Sequence, residues 1–133
     1  GIGFIPYSPL GRGFLAGTVR SRADLPEHDW RRQDPRYSDE NLPANLAIVD
    51  AIAGVAARHG VSNAQIALAW LLAQGEDIVP IPGTKRRATM EDSVAAAAVT
   101  LTADDLATIA AAAPRGGTVG PRYGERGMRM VRI

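Results

Sequence analysis

The chain contains no cysteine among its 133 residues, so disulfide scaffolds and thiolate metal sites are excluded. Aromatic residues make up 5%, too few for a surface that stacks nucleobases. The formal net charge is +1, so no global field favours nucleic acid or an anionic membrane. No apolar run approaches the roughly 20 residues that span a bilayer. Apolar residues reach 46%, enough to build a core and too many for a disordered segment. The length suits one small domain, and a cytoplasmic protein is the expectation. The sequence begins Gly1-Ile-Gly-Phe within an expected strand, with no signal-peptide pattern, as the tail piece of a longer protein would.

The most informative stretch is Ile78-Val-Pro-Ile-Pro-Gly-Thr-Lys-Arg-Arg87, followed by Ala-Thr-Met-Glu-Asp-Ser-Val94. It reads as a buried strand, a Pro-Gly break, a basic cluster and a helix start. That order aims backbone N–H groups and the positive end of a helix at one point, and Lys85, Arg86 and Arg87 add full charges there. A phosphate group is the natural occupant. On its own, such a basic cluster is usually a solvated face; its place between a strand and a helix is what favours a site.

Other elements follow from spacing and punctuation. Residues 2–7 read as a strand ending in the loop Ser8-Pro-Leu-Gly-Arg-Gly13. Residues 16–40 are rich in Arg, Asp and Pro without periodicity, a long loop of the kind that is functional or disordered. Residues 41–59 have helical spacing, with Leu46, Val49, Ile52, Ala53 and Ala56 on one face and Gly60 as the C-terminal stop. Ser62-Asn-Ala-Gln65 fits a capping box, with Gln65 reaching back, and opens a helix carrying Ile66, Ala69, Trp70, Leu72 and Ala73. Residues 78–81 are continuously apolar, as a buried parallel strand would be. A helix over 88–98 and another capped by Thr102, with Asp104 and Asp105 in its first turn, complete the pattern before Pro114. Residues 115–133 are Gly- and Arg-rich, and an extended tail is expected. Strand, loop, helices, strand, helix, helix is an α/β order with parallel strands. Two strands make no covered sheet, and a complete (β/α)8 barrel needs about 250 residues. The chain therefore reads as the last quarter of a closed fold.

Several separate motifs then coincide. Phe4-Ile-Pro-Tyr-Ser-Pro-Leu-Gly-Arg-Gly-Phe-Leu15, Asn41-Leu42, Ser62-Asn-Ala-Gln-Ile-Ala-Leu-Ala-Trp-Leu-Leu72 and the segment from Ile78 to Arg87 resemble, in order and spacing, the aldo-keto reductase family over residues 1–127. The resemblance implies the C-terminal portion of a (β/α)8 TIM barrel, with this chain as strands seven and eight and their helices, all in one barrel domain. It also implies an NADPH-dependent oxidoreductase acting on small aldehydes and ketones. By that resemblance Tyr7 stacks on the nicotinamide, and Ser8, Leu10 and Gly11 lie along the pyrophosphate. Gly83, Thr84 and Lys85 hold the 2′-phosphate, with Arg86 close by; such charged donors favour NADP over NAD. Thr89, Asp92 and Ser93 fall where the family contacts the phosphate and adenine.

Two departures matter. Many members carry Arg or Gln at the position of Thr89 and Glu-Asn at Asp92-Ser93, and serine lacks the paired donor and acceptor of an amide. The family's catalytic Asp, Tyr, Lys and His belong to the first half of the barrel, so no catalytic residue and no metal ligand is assigned to this chain. Blander readings stand beside these: Tyr7 as ordinary packing, His59 as a cation at a helix end, and His28 and Trp30 as loop packing or a lid. Arg31, Arg32 and Arg36 fold over the cofactor or pair with Asp29, Asp34 and Asp39, and composition does not separate the two. The alternatives are a non-catalytic NADPH-binding regulatory subunit, an inactive truncated fragment, or a different barrel enzyme using a phosphate site at strands seven and eight. Sequence leaves the oligomeric state and the carbonyl substrate open.

Overall fold

The computed structural model describes residues 1–131. Two extended segments run parallel through isolated bridges, Phe4 to Ile78 and Tyr7 to Ile81, in one register. The Phe4 N–H donates to the Asp77 carbonyl at 2.8 Å, and the Val79 N–H donates to the Phe4 carbonyl at 2.9 Å. The parallel order expected from sequence is present, but no continuous strand forms among the described residues. Nor is 78–81 buried: Val79 is 55% and Ile81 51% exposed. A parallel pair needs neighbours on both edges and helices on both faces, and two segments alone supply neither.

Helices carry the core. Helix α1 spans Leu42–His59, α2 Asn63–Leu72, α3 Arg87–Ala95, α4 Ala103–Ala112 and the short α5 Glu125–Met128. Helix α1 packs against α2 and α4. Its buried stripe is wider than the single face read from spacing, because it serves two clusters. Leu42 and Val49 meet Phe14, Val19, Leu25 and Tyr37 of the long loop. Ile48, Ile52, Val55 and Ala56 meet Ile66 of α2 and Ile109 of α4. Phe14 and Tyr37 meet edge to face at 5.6 Å between centroids, an arrangement the ring quadrupoles favour. Among the described residues no helix is long and apolar enough to cross a membrane.

Helix ends show which sequence signals held. Gly60 closes α1 in the left-handed region at φ 65°, where a side chain is strained. Ser62 caps α2, its Oγ accepting from the Gln65 N–H at 3.1 Å. The Gln65 side chain does not complete the box: its Nε2 donates to Asp92 on α3 at 2.8 Å, a bond between elements in place of a local one. Thr102 and Asp105 form a full capping box on α4. The Asp105 carboxylate is buried and also receives Arg58 at 2.6 Å and His59 Nε2 at 2.8 Å, tying the end of α1 to the start of α4. The helix expected over 88–98 ends earlier, and Ala96–Ala98 tightens into a 3-10 turn.

The loop over 16–40 is a chain of short 3-10 turns pinned by aspartates. Asp24 accepts from the N–H groups of Arg20 and Ser21, Asp29 from Arg31, and Asp34 from Arg36. Over the described residues 115–131 the segment after Pro114 is not extended, and residues 132–133 of the expected tail lie outside the described residues. The segment turns back across the molecule, and the Asn45 side chain pairs with both main-chain groups of Val119 at 2.7 and 2.9 Å.

Two outcomes follow for the polypeptide carrying this chain. Ile66→Ala should lower stability by about 2–4 kcal/mol in urea denaturation, because Ile66 is fully buried between α1 and α4. The Asp105 carboxyl is held below its usual range, first by the His59 hydrogen bond, then by Thr102 and Arg58. A depressed folded value stabilises above the unfolded carboxylate value near 4, and this contribution is lost as pH falls below it. Asp105→Asn should therefore lower the melting temperature at neutral pH and flatten the loss of stability below about pH 4.

Candidate functional site

The two extended segments end at the same side, because their pairing is parallel and Tyr7 lies opposite Ile81. The loop after each one therefore leaves from one rim. The first passes Ser8 at φ 49° and makes a tight 3-10 turn, Gly11–Gly13, in which Gly11 at 56° and Arg12 at 63° also lie in the left-handed region. Non-glycine residues there carry strain, and the surrounding bonds hold it. Tyr37 donates to the Gly11 carbonyl at 3.3 Å, while Arg12 pairs with the buried Asp34.

Arg12 joins three segments. Its guanidinium lies over the Trp30 ring at 5.3 Å and the Tyr123 ring at 4.8 Å, and it donates to the Arg122 carbonyl at 3.2 Å. The loop and the returning segment thus meet beside Tyr7. Tyr7 is 56% exposed and its hydroxyl contacts that of Tyr123. The Tyr123 hydrogen bond lowers the Tyr7 pKa from its usual value, with Arg122 and Arg12 adding to the effect, and the same bond raises that of Tyr123.

The predicted site residues fall into two depressions, with Leu10, Asp92 and Ser93 outside both. Tyr7, Ser8 and Gly11 line a cavity of about 340 Å³ closed by Arg36, Tyr37 and Arg122. Leu10 sits half-buried in the turn behind it. Gly83, Thr84, Lys85, Arg86 and Thr89 line a second, shallow recess at the start of α3. Thr84 Oγ1 accepts from the Arg86 N–H at 3.2 Å and shapes this turn. Asp92 and Ser93 stand a turn further along α3, outside the recess. Both Asp92 oxygens are engaged, by Ser62 Oγ and Gln65 Nε2 at 2.8 Å each.

Charge is distributed unevenly. Lys85 and Arg86 make no ion pair among the described residues, whereas Arg87 binds Glu91 at 2.7 Å within its own helix. The loop arginines divide likewise. Arg31 pairs with Asp29 at 2.6 Å, and Arg32 donates to the carbonyls of Arg22 and Leu25 at 2.9 and 2.8 Å. Arg36 pairs with neither Asp34 nor Asp39, which are bonded to Arg12 and Arg22.

Sequence reasoning missed Arg12, Asn45 and Tyr123, and it offered Asp34 to Arg31, Arg32 or Arg36 where the structure pairs it with Arg12. One signal was available: Asn45 is an uncharged polar residue within the apolar stripe of α1, and such a residue is buried only with partners.

Residues 1–114 match the profile of the Aldo/keto reductase family. The chain belongs to this family. Among its relatives are aldo-keto reductase yakc [NADP(+)] of Schizosaccharomyces pombe, 44% identical over 92% of this chain, and probable aldo-keto reductase 1 of Glycine max, 45% identical over 92%. Aldo-keto reductase str7 of Strobilurus tenacellus is 35% identical over 98%. The aligned region is 36%, 35% and 39% of these proteins, so the chain spans little more than a third of their length. Family membership implies a (β/α)8 barrel.

Asn45 carries the return of the C-terminal segment to this rim. Asn45→Ala should cost about 1–3 kcal/mol by leaving the Val119 groups unpaired. Limited proteolysis should then cut faster between Pro114 and Gly124.

Proposed function

We propose that this chain is the part of an aldo-keto reductase barrel holding strands seven and eight and their helices, within a single domain, and that it supplies the grip on NADP. The carrying observation is the parallel register that sends the Tyr7 and Gly83 loops off one rim. An extended dinucleotide needs such an arrangement, with one loop for its ring and another for its ribose phosphate.

The residues present suit the phosphate end. The second recess offers an ammonium, a guanidinium and a hydroxyl, from Lys85, Arg86 and Thr84. A Cβ at Gly83 would meet nothing within 4 Å, so the main chain there is open to a close approach. Free cations that meet no internal carboxylate are the strong partners for a phosphate monoester. Tyr7, exposed at the rim, offers a flat face for the nicotinamide, and Ser8, Leu10 and Gly11 offer a compact turn for the pyrophosphate. Thr89 adds a hydroxyl beside the phosphate. The relative named for NADP(+) supports the choice of cofactor.

When bound, the cofactor supplies a hydride to the carbonyl carbon of a small aldehyde or ketone. This chain binds and orients it; no residue here is assigned to proton transfer. Asp92, expected near the adenine, also fastens α3 to α2 through its carboxylate and so holds the recess in place.

Replacing Lys85 and Arg86 by Ala in the whole polypeptide should weaken NADPH binding by about tenfold or more, with NADH nearly unaffected, as charged hydrogen bonds to the extra phosphate are lost. Fluorescence titration with both cofactors measures this. Equal losses for the two would count against a 2′-phosphate clamp.

A further inference from the structure

Thr89 lines the same recess as Lys85 and Arg86. Directly ahead of it run Lys85, Arg86, Arg87 and Ala88, which sets two arginines three and two residues before the hydroxyl. No other serine or threonine in the sequence has that arrangement. Neighbouring hydroxyls are already employed: Ser62 Oγ accepts from the Gln65 N–H and donates to Asp92, and Thr84 Oγ1 bonds both main-chain groups of Arg86. The basic run is open to a partner. Lys85, Arg86 and Ala88 are exposed, and the Arg87 side chain is 87% exposed. Helix α3 buries none of its residues, and no side chain caps its start. A first turn held so lightly opens at small cost, as an enzyme that binds its substrate extended requires.

Cations placed ahead of a hydroxyl are what an acidic substrate groove reads by charge complementarity. We propose that Thr89 is the acceptor of a protein kinase selective for basic sequences, and that its phosphate then fills the recess of Lys85 and Arg86. In the transfer, Thr89 Oγ1 bonds to the γ-phosphorus of a nucleoside triphosphate. The bond from that phosphorus to the bridging oxygen breaks, the nucleoside diphosphate leaves, and the hydroxyl proton passes to the carboxylate base of the kinase. The new group carries about −1.5 to −2 charges at neutral pH on three acceptor oxygens. Lys85 and Arg86 are in no ion pair among the described residues, so both are available to it. The acidic groups next along α3 are engaged, Glu91 by Arg87 and Asp92 by Ser62 and Gln65. A tethered phosphate holds the recess against one arriving from solution. The consequence for the ligand rests on the cofactor reading above: modification removes the grip on the 2′-phosphate and with it the preference for NADPH.

The test treats the whole polypeptide with magnesium ATP and a purified serine/threonine kinase selective for arginine at those two positions, and maps the phosphate by peptide mass spectrometry. Phosphate should enter at Thr89, be absent from Thr89→Ala, and enter about tenfold or more slowly in Arg87→Gln. No entry at Thr89 of the folded protein overturns the proposal, even where a free peptide of residues 85–94 is modified. Phosphorus-31 NMR then reads the recess without any cofactor. The second ionisation of the phosphate should lie below that of the phosphorylated peptide, and Lys85→Ala should raise it. A value equal to the peptide's overturns the placement in the recess. In fluorescence titration the modified protein should bind NADPH about tenfold or more weakly, with NADH changed by less than about twofold. Equal weakening of the two overturns the exchange of phosphates. An unmodified protein that binds neither dinucleotide, or both alike, refutes the cofactor reading itself, and the mapped phosphate and its ionisation still decide the modification.

Discussion

The parallel pairing of Phe4 with Ile78 and of Tyr7 with Ile81 is the constraint on which the rim depends. Were the segments antiparallel, the turn after Tyr7 and the basic cluster after Ile81 would leave from opposite ends. No single ligand of dinucleotide length would then meet both. The pairing itself is slight, two bridges flanked by exposed apolar side chains. What fixes it is the helical layer. Helices α1, α2 and α4 are joined by a closely packed apolar cluster and by the Asp105 knot, and α3 is fastened to α2 through Asp92. The turn at Gly11 and the recess at Gly83 are thus each tied to a common helical frame, one through Tyr37 and the other through α3.

Aspartate organises the loop as hydrophobic residues organise the helices. Asp24, Asp29 and Asp34 each accept main-chain N–H groups and so fix successive turns without a regular ladder. Two of them also hold an arginine, Asp29 taking Arg31 and Asp34 taking Arg12. The consequence is a division of the basic residues into two populations. Those bonded to aspartate or to main-chain carbonyls build the loop. Of those in no ion pair among the described residues, Lys85 and Arg86 line the recess at the start of α3 and have charge to offer a ligand. Net charge near zero conceals this division, because what matters is where each opposite charge lies.

The helices were legible in the sequence because their signals are local. Gly60, Ser62 and the Thr102–Asp105 box act within a few residues of themselves. The position of Tyr7 and of the basic cluster was legible for the same reason, each following an apolar run at a fixed distance. What the sequence concealed was long-range competition for the same groups. Gln65 was expected to turn back on its own helix and instead reaches Asp92, because an acceptor on α3 lies within its span. The pairing of Arg12 with Asp34 in preference to Arg36 is set by how the turn at Gly11 folds over the loop, which no spacing rule conveys. The C-terminal segment was read as extended because Gly and Arg carry no periodicity; its course is fixed by one side chain, Asn45, from a helix far away in sequence.

Of the large exposed apolar residues, Ile2, Phe4, Ile5, Tyr7, Val79 and Ile81 cluster on the two extended segments, and Trp30, Leu72, Met90, Val94, Val119 and Met130 lie singly elsewhere, while the buried residues lie mainly on the helices and the long loop. Such a distribution is what one sector of a layered α/β fold should show. The helical layer can satisfy itself by packing helix on helix, but the central strands are covered only when neighbouring strands and the rest of the barrel close around them. The relatives are nearly three times as long as the aligned region, which leaves ample chain for that closure. The same reasoning applies to the turn at Gly11, which is tied to the aspartate-pinned loop through Tyr37 and the Arg12–Asp34 pair, both present in this sector, whereas strand pairing awaits partners on either side.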